Sequence, residues 1–436
     1  MSASSRPSEG TPRSGAFIAF GHRDFRLFQS GRFLSTIGTQ MQGVAVGWQI
    51  YALTGQAMNL GLVGLAQFLP AFLVSPFAGH AADRFDRRLV LVLCHAWLTL
   101  CSLALYLSTY AHNSQVFAIY VALAAIGVAR GLEGPSAQAL LPNLVPREHF
   151  QNAIVWNSSV WQIAVVLGPA LGGFLYGERG APAVYAVSFV LELATVVVLV
   201  LQKSHGERHK AGRDLRDFVA GIRYVGKSPI IFGAISLDLF AVLFGGAVAL
   251  LPVFARDILH TGPRGLGLLR SAPAVGALIV ALWLAYRPLR RHAGVVMLGC
   301  VALFGGATIL FGLSHSFWLS LFALALAGAA DMVSVFVRHT LVLLNTPDDM
   351  RGRVAAVSHV FIGASNELGE FESGLTAAWF GAVPAVIIGG IGTCLVVLVW
   401  STLFPALRRA DELGGAAREP KPVEGLDGTS ENANIT

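Results

Sequence analysis

The sequence predicts an all-α membrane protein of twelve transmembrane helices, arranged as two six-helix, pseudo-symmetric bundles. Apolar stretches recur along its 436 residues, and a helix needs roughly 20 such residues to cross a bilayer. Hydrophobic residues make up 54% of the chain and charged residues 13%, with a mean hydropathy of +0.63. Soluble domains carry about 25% charged residues, so this composition excludes an ordinary soluble protein.

The expected spans follow one another with short connections. They cover 32–53, 60–80, 89–110, 116–141, 153–176, 182–201, 230–254, 265–286, 294–313, 317–344, 355–378 and 382–404. The polar N-terminal segment 1–31 contains no apolar core with a cleavage site, so span 1 is expected to remain as an uncleaved helix. The tail 405–436, which contains Gly and Pro and has a polar end, is expected to be disordered.

Basic residues alternate between the two sides of the membrane. With a cytoplasmic N-terminus, 25 of the 31 Lys and Arg residues fall on the cytoplasmic side. Four fall on the opposite side: Arg179, Arg256, Arg264 and Arg270. The other two, Arg130 and Arg338, lie within spans. The positive-inside rule then places both termini in the cytoplasm, in a bacterial-type inner membrane. The net charge of +6 therefore indicates orientation, and we expect no nucleic acid partner.

The chain also divides into two similar halves. A charged linker at 203–229 separates bundle 32–202 from bundle 230–404. An offset of 201 residues (347 − 146) superposes Pro347 on Pro146, Leu368 on Leu167, Gly369 on Gly168 and Gly374 on Gly173. Two halves of the same orientation imply a pseudo-twofold axis along the membrane normal, with a central cavity between them.

The connection after span 2 carries a motif, Gly79-His80-Ala81-Ala82-Asp83-Arg84-Phe85-Asp86-Arg87-Arg88. It resembles the loop signature of the major facilitator superfamily: Gly, three residues, Asp-Arg, one residue, Gly, Arg, then Arg or Lys. The chain departs from this signature at Asp86, where the superfamily prefers Gly. A similar acidic substitution occurs in the branch that resembles enterobactin exporters and transmembrane secretion effectors. The resemblance implies a gate in which Asp83 pairs with a basic group. The alternative is a positive-inside anchor. The expected gate residues are Gly79, Asp83, Arg84, Asp86, Arg87 and Arg88.

Span 4 contains an Arg and a Glu three residues apart, Arg130 and Glu133, which share a helical face. An isolated charge at mid-bilayer costs about 2.5–3.5 kcal/mol, so neither should face lipid. The stretch resembles the superfamily's span-4 pattern of Arg, two residues, Gln and Gly, with Glu133 in place of Gln. That resemblance implies a role in proton coupling, and the alternative is a structural Arg130–Glu133 pair.

Span 5 contains Gly168-Pro169-Ala170-Leu171-Gly172-Gly173. This stretch resembles the Gly-Pro-rich motif of export-type members of the superfamily. Small residues let backbones approach closely, and a proline bends a helix so that it can rock. The expected helix-bending residues are Gly168, Pro169, Gly172 and Gly173. The alternative is that these residues only pack helices together and do not indicate the direction of transport.

Spans 10 and 11 concentrate charge. The stretches Asp331 to Arg338 and Thr346 to Val354 resemble the secretion-effector branch. Asp331 and Arg338 share one helical face, and Glu367 and Glu370 share another. With Glu372, span 11 holds three carboxylates, which are costly in a membrane unless they face water, an Arg or protons. These five residues are candidates for a coupling or cation-recognising site; the alternative is a structural Arg338–Glu370 clamp.

Two further acids lie alone within spans, Asp238 in span 7 and Glu192 in span 6. Asp238 is expected to face the cavity and joins the candidates for proton coupling. Glu192 carries less weight, because span 6 lies at the periphery in the fold that the chain resembles. In either case, a lone acid can serve simply to hydrogen-bond a neighbouring helix.

The cysteines and histidines indicate no cofactor. Cys94, Cys101, Cys300 and Cys394 fall within spans and form no CxxC pair, so we interpret them as small apolar residues in the packing. The twelve His residues are scattered, mostly at loops. Because the chain has no zinc motif, Walker A loop or nucleophile elbow, we expect neither a metal nor an enzyme.

The resemblance implies a twelve-helix major facilitator transporter. The expected function is export of a small amphiphilic molecule, siderophore-like or drug-like, by a monomer that uses alternating access with protons as the coupling ion. One alternative is a proton-linked importer of a metabolite. The other is a non-transporting scaffold or receptor, against which the intramembrane charges argue.

The charge asymmetry generates a first prediction about topology. A reporter fused after Pro405 should be cytoplasmic, and cysteine labels placed near His112 or His315 should react from the periplasmic side, because basic loops stay inside. Membrane-impermeant thiol labelling of intact cells and of everted vesicles measures both sites. Labelling of both sites only from the cytoplasm would overturn the topology.

Overall fold

The computed structural model describes residues 15–111, 115–203, 215–287, 289 and 292–409. At residues 76, 78–84, 215–218 and 359 it describes only the backbone. Every secondary-structure element in the described residues is helical, and these residues contain no β-strand. The predicted all-α class is therefore confirmed.

The N-terminal half consists of five long helices, of which the last has two arms. They are α1 (Arg23–Thr54), α2 (Ala57–Arg84), α3 (Arg87–Tyr110), α4 (Val116–Leu140) and α5 (Phe150–Leu201). Three 3-10 turns accompany them, at Ile18–Gly21, Leu141–Asn143 and Arg147–His149. The bend in α5 lies at Gly180, where φ is 73° and ψ is −176°. Glycine adopts a positive φ without steric cost, so Gly180 reverses the chain between the two arms.

A linker helix, α6 (Leu215–Lys227), leads to the C-terminal half. The long helices of this half are α7 (Pro229–Phe244), α9 (Gly262–Tyr286), α10 (Ala293–Leu313), α11 (Phe317–Leu344), α12 (Arg351–Phe380) and α13 (Ala382–Leu403). Between α7 and α9 the chain forms a 3-10 turn (Ala247–Leu250), α8 (Leu251–Val253) and a π turn (Phe254–Ile258). One short helix, α14 (Pro405–Arg408), follows α13.

Nine helical stretches of the described chain are long and apolar enough to cross a bilayer, by length and composition. One of them, Arg147–Leu201, has 55 residues and includes the bend at Gly180, so it has the length for two crossings. Helices α1 and α12, with 32 and 30 residues, also have the length but contain more polar side chains. The helices are consistent with the twelve expected crossings.

One expected span is interrupted in the structure. The sequence predicted a single crossing at 230–254, but α7 ends at Phe244 and short turns follow. A Cβ on Gly246 would lie 2.6 Å from the carbonyl carbon of Gly369 in α12. The close approach of α12 therefore leaves no space for a side chain where α7 would have continued.

The structured chain extends beyond the expected spans at both ends. Helix α1 begins at Arg23, nine residues before position 32, because Phe25 and Phe28 are buried in a cluster with Leu140 of α4. At the other end, Leu407 of α14 is fully buried. The remainder of the tail that was expected to be disordered, from residue 410, lies outside the described residues.

The two halves repeat the same packing. Helix α2 packs on α4 as α9 packs on α11, and α1 packs on α5 as α7 packs on α12 and α13. Gly127 in α4 lies against the backbone of Gln67, and Gly328 in α11 lies against the backbone of Pro273. These two glycines are 201 residues apart (328 − 127), which is the offset of the sequence repeat. Larger residues would separate both helix pairs.

The halves contact each other where α5 packs on α9 and where α2 packs on α12. A Cβ on Gly173 would lie 2.7 Å from the Cα of Gly267, and a Cβ on Gly374 would lie 2.6 Å from the Cα of Gly61. Both contacts lie toward one end of the bundle, the end with the turns at 54–57, 180 and 259–262. We call this the closed end. Among the described side chains, contacts between the two bundles run from the closed end to mid-membrane.

The glycine contact at the closed end generates a second prediction. Gly173→Ala should separate the halves there, because the new methyl would lie 2.5 Å from the carbonyl oxygen of Pro263, far inside van der Waals contact. Double electron–electron resonance between spin labels at Arg179 and His260, in a cysteine-free background, should show a longer distance.

The matched control is Gly306→Ala, since a Cβ on Gly306 has no neighbour within 4 Å among the described residues. It should leave the distance distribution of the parent unchanged. An unchanged distribution for Gly173→Ala as well would show that the glycine contact does not set the closure.

Candidate functional site

Charged side chains meet in the middle of the bundle, between the two halves. Arg130 in α4 donates from Nη1 to Oε1 of Gln67 in α2 over 3.0 Å. Glu370 in α12 packs against Gly64 in α2, where a Cβ would lie 3.0 Å from Oε2 of Glu370. Glycine at position 64 therefore provides the space in which a carboxylate of the C-terminal half enters the N-terminal half.

Two arginines balance two acids at this interface. Arg130 and Arg270 both act electrostatically on Glu367 and Glu370. Arg270 in α9 reaches toward α1, since a Cβ on Gly43 would lie 3.4 Å from its Nη2. Opposite charges near one another lower the cost of placing ions away from bulk water. We call Arg130, Arg270, Glu367 and Glu370 the central cluster.

The third acid expected in span 11 has a local role. Oε1 of Glu372 accepts a hydrogen bond from the hydroxyl of Thr376 over 2.7 Å, on the same helix. A carboxylate with a donor on its own helix is partly satisfied there. Glu372 is therefore separate from the contacts that join α12 to α2.

Glu133 faces α3 in the N-terminal half. Its Oε1 lies 3.8 Å from Nε2 of His95, whose Nδ1 lies 2.9 Å from Oε2 of Glu192. Ser35 in α1 donates to the other oxygen of Glu192 over 2.8 Å. The alternative of a structural Arg130–Glu133 pair is wrong, because each residue has a partner on a different helix. We call Ser35, His95, Glu133 and Glu192 the N-half cluster.

The C-terminal half contains a buried ion pair between Arg338 in α11 and Asp238 in α7. Both side chains are buried. The alternative of an Arg338–Glu370 clamp between spans 10 and 11 is therefore wrong, because Glu370 points to α2. Asp331 and Asp238 line one small crevice between α7, α10 and α11. Of the residues expected in a single coupling site, Asp238, Asp331 and Arg338 group together, away from the central cluster.

Polar contacts hold the closed end. The Tyr51 hydroxyl in α1 donates to Oδ2 of Asp257, and Arg256 donates from Nη1 to the Tyr51 carbonyl over 3.2 Å. The guanidinium of Arg256 also lies 5.5 Å from the centre of the Tyr51 ring. A second pair, Arg264 with Glu178, joins α9 to α5. Each contact links one half of the molecule to the other.

The loop motif anchors α3 inside the N-terminal half. Asp86 caps this helix, accepting from the backbone N–H of Arg88 over 2.9 Å. Arg87 and Arg88 donate to the backbone carbonyls of Ala139 and Leu199, each over 2.9 Å. Aspartate is a favoured N-cap residue, which explains the departure from the superfamily's Gly. The side chains of the other expected gate residues lie outside the described residues: Gly79, Asp83 and Arg84.

The small residues expected to bend span 5 serve close packing in this structure. Gly172 packs on α1, where its Cβ would lie 2.7 Å from the Cα of Met41, and Gly168 packs there beside Gln40. Gly173 faces α9. The break in α5 lies further along, at Gly180. Bending at Pro169 stays a prediction.

An amphipathic cleft of about 590 Å³ opens between α1 and the first arm of α5, at the end opposite the closed end. Its walls include the apolar side chains Leu27, Phe33 and Ile163, and its rim includes Arg23 and Arg26. Ligand pockets commonly have about 300–1,000 Å³. The cleft therefore has a volume in this range, and Arg23 and Arg26 at its edge also donate to the backbone carbonyls of Leu201 and Phe20.

Several site residues were missed from the sequence. His95 lies within an apolar span, whereas the histidines were expected mostly at loops, and its position alone was a usable signal. Arg270 was counted as an external loop charge, yet it reaches the central cluster. Tyr51 and Asp257 lie 206 positions apart, and no local pattern connects them.

Two similar helical halves with charged groups between them are typical of a membrane transporter of the major facilitator type, and not of an enzyme. The chain belongs to the transmembrane secretion effector family, whose model matches residues 14–429.

Similar proteins match most of the chain. The enterobactin exporter EntS of Citrobacter koseri is 26% identical over 405 residues, covering 92% of this chain and 95% of the exporter. The uncharacterized MFS-type transporter YfiS of Bacillus subtilis is 24% identical over 386 residues, covering 84% of this chain and 89% of that protein.

Solved structures share the fold. A bacterial homologue of the human lysosomal transporter Spinster, in an inward-facing and occupied conformation, matches with a TM-score of 0.68 and 14% identity. The match covers 91% of this chain and 97% of the homologue. A bacterial homologue of the iron transporter ferroportin, in an inward-facing state, matches with a TM-score of 0.66 and 18% identity, covering 87% and 99%.

The buried ion pair generates a third prediction. Asp238→Asn should lower the free energy of unfolding by about 3–5 kcal/mol, because it leaves the buried Arg338 charge uncompensated. Adding Arg338→Gln to this variant should restore part of the loss. Thermal unfolding of the purified protein in detergent measures both changes.

The control is Asp349→Asn, at an exposed position between α11 and α12. It should leave the unfolding temperature unchanged. If Asp238→Asn were as stable as this control, the pair would not be needed for stability.

Proposed function

We propose that this protein exports a small amphiphilic molecule, siderophore-like or drug-like, from the cytoplasm by alternating access coupled to protons. The full-length similarity to enterobactin exporters carries the proposal. The amphipathic cleft supports it, because apolar walls with Arg23 and Arg26 at the rim suit an acidic, partly apolar molecule. The polar groups at the closed end support alternating access, since they are few and can part together.

The proposed direction depends on orientation. The four basic residues on the sparsely charged side include three with side chains at or near the closed end: Arg179, Arg256 and Arg264. The positive-inside rule assigns this end to the periplasm. The open end, with the cleft, then faces the cytoplasm, from which an exporter must load its substrate.

The central cluster is the proposed coupling site. The half-buried carboxyl group of Glu370 lies within the electrostatic influence of two guanidinium groups, and loss or gain of its proton changes how strongly they attract it. Since Glu370 comes from one half and Arg130 from the other, gain or loss of a proton changes the attraction between the halves. This gives a proton a differential effect on two conformations, as coupled transport requires.

Transport by everted membrane vesicles tests the function. Vesicles that contain the protein should accumulate enterobactin, or another member of a panel of siderophores and cationic dyes, when a pH gradient acid inside is imposed. Vesicles without the protein provide the background. Accumulation only in right-side-out vesicles would indicate an importer, and no accumulation of any probe would contradict export of these classes.

The central cluster generates a fourth prediction. Glu370→Gln should reduce pH-gradient-driven accumulation by about 5- to 150-fold, the range given by a coupling free energy of ~1–3 kcal/mol. The amide keeps the shape of the side chain but cannot exchange a proton. The measurement is initial rate in proteoliposomes with and without the gradient.

The matched control is Glu148→Gln, at an exposed position before α5. It should transport as the parent protein does. Full gradient-driven transport by Glu370→Gln would exclude Glu370 from the proton path.

A further inference from the structure

The N-half cluster forms a chain of polar groups across four helix segments. Ser35 donates to one oxygen of Glu192, and the other oxygen lies 2.9 Å from Nδ1 of His95. Nε2 on the far side of the imidazole faces Oε1 of Glu133 at 3.8 Å. His95 is 5% exposed and Glu192 3% exposed. The proposed transport function uses neither residue.

The hydrogen-bond directions indicate which atoms of the N-half cluster carry a proton. As a carboxylate, Glu192 accepts from the hydroxyl of Ser35 and from Nδ1–H of His95. A neutral imidazole with its proton on Nδ1 presents the lone pair of Nε2 to its surroundings. That lone pair would face an oxygen of Glu133, so two acceptors would oppose each other. A proton on either Nε2 or Glu133 removes this conflict.

The charges of the cluster lead to the same result. Arg32 in α1 acts electrostatically on Glu133, while Arg130 on the same helix as Glu133 is turned to Gln67. Cys94 also lies within the electrostatic influence of Glu133. Counted together with Arg32, the two carboxylates and a neutral imidazole carry a net charge of −1. One bound proton makes this set neutral, and a neutral cluster is favoured where water is excluded.

Glu133 connects the cluster to water. Its side chain is 31% exposed, compared with 6% for His95 and 3% for Glu192. An ionisable group inside a membrane bundle faces a water-filled cavity, because exposure to lipid is costly.

We propose that His95 and Glu133 form a second proton-binding site, within the N-terminal half, in which Glu192 and Ser35 are positioning residues. Glu133 takes a proton from water and passes it to Nε2 through one bridging water, because the 3.8 Å between Oε1 and Nε2 is longer than a hydrogen bond. The product is an imidazolium beside two carboxylates. On release, Nε2 returns the same proton to Glu133 and the imidazole becomes neutral. The proposal rests on the proposed transport function only in that the bound proton serves as a coupling ion.

Proton binding can be measured without any substrate. The protein is labelled with ¹⁵N-histidine, purified into nanodiscs and titrated by NMR, and His95→Gln identifies the His95 signal among the twelve histidines. If this variant does not accumulate, the selective shift caused by Ser35→Ala identifies the signal. Nδ1 of His95 should stay protonated while Nε2 gains and loses its proton.

Removal of the acid should weaken proton binding at His95. Glu133→Gln should lower its titration midpoint by about one pH unit or more, which is tenfold in proton affinity. Glu192→Gln should weaken the preference for the Nδ1–H tautomer. The matched control, His315→Gln at an exposed turn, should remove one other signal and leave the His95 midpoint unchanged. A His95 midpoint indifferent to Glu133→Gln, or no titration between about pH 4 and 10, would overturn the site.

Transport measurements then distinguish a coupling role of His95 from a structural one. With enterobactin as the probe in proteoliposomes, His95→Gln should lose gradient-driven accumulation by about tenfold while exchange between internal and external enterobactin stays at the parent level. Equal loss of both activities would show a structural role and overturn the assignment as a coupling site. If the parent transports no enterobactin, the proposed substrate fails, whereas the NMR titration still decides the proton site.

Discussion

Charged side chains inside apolar helix bundles constrain the arrangement of this molecule. Each isolated charge costs several kcal/mol in a bilayer, and partners or water reduce that cost. Arg338 fixes α11 against α7 through Asp238, and Glu192 fixes α5 against α1 and α3. Packing by small residues then brings the helices to the distances that these pairs require. The pairs within each half thus join neighbouring helices of the same bundle.

The contacts between the halves have a different character from those within them. Inside a half, buried partners come from neighbouring helices of the same bundle. Across the interface, the closed end relies on Tyr51 with Asp257 and on Arg264 with Glu178, and the latter pair is exposed. Exposed pairs contribute little stability, with a median of about 0–1 kcal/mol. The exposed pair of Arg264 and Glu178 therefore adds little stability to the interface.

Much of the fold could be predicted from the sequence, because apolar length is a local property. Eleven of the twelve expected spans coincide with a helix or an arm of one, and the offset of 201 residues is visible again at Gly127 and Gly328. The interruption after Phe244 could not be predicted, since it results from the approach of α12. The gate motif at Asp83 stays a prediction.

The candidate site was predicted less completely, because partners depend on how helices are rotated about their axes. The sequence identified Glu370, Arg130 and Asp238 as charged groups within spans but paired Arg338 with the wrong acid. His95 could be seen within an apolar span, yet its place in the N-half cluster depends on a contact with Glu192, 97 positions away. Sequence patterns therefore found the charges, and the fold assigned their partners.

Because the contacts between the halves lie at the closed end, a small rotation of one half there displaces its far end by a much larger distance. Helix α2 has 28 residues, which at 1.5 Å per residue gives an arm of about 42 Å. A rotation of about 10° around its end near Gly61 displaces the far end by about 7 Å, with every helical hydrogen bond intact. A wide opening thus requires little local distortion. The angle between the halves is set at the closed end, by a few glycine contacts and the hydroxyl of Tyr51.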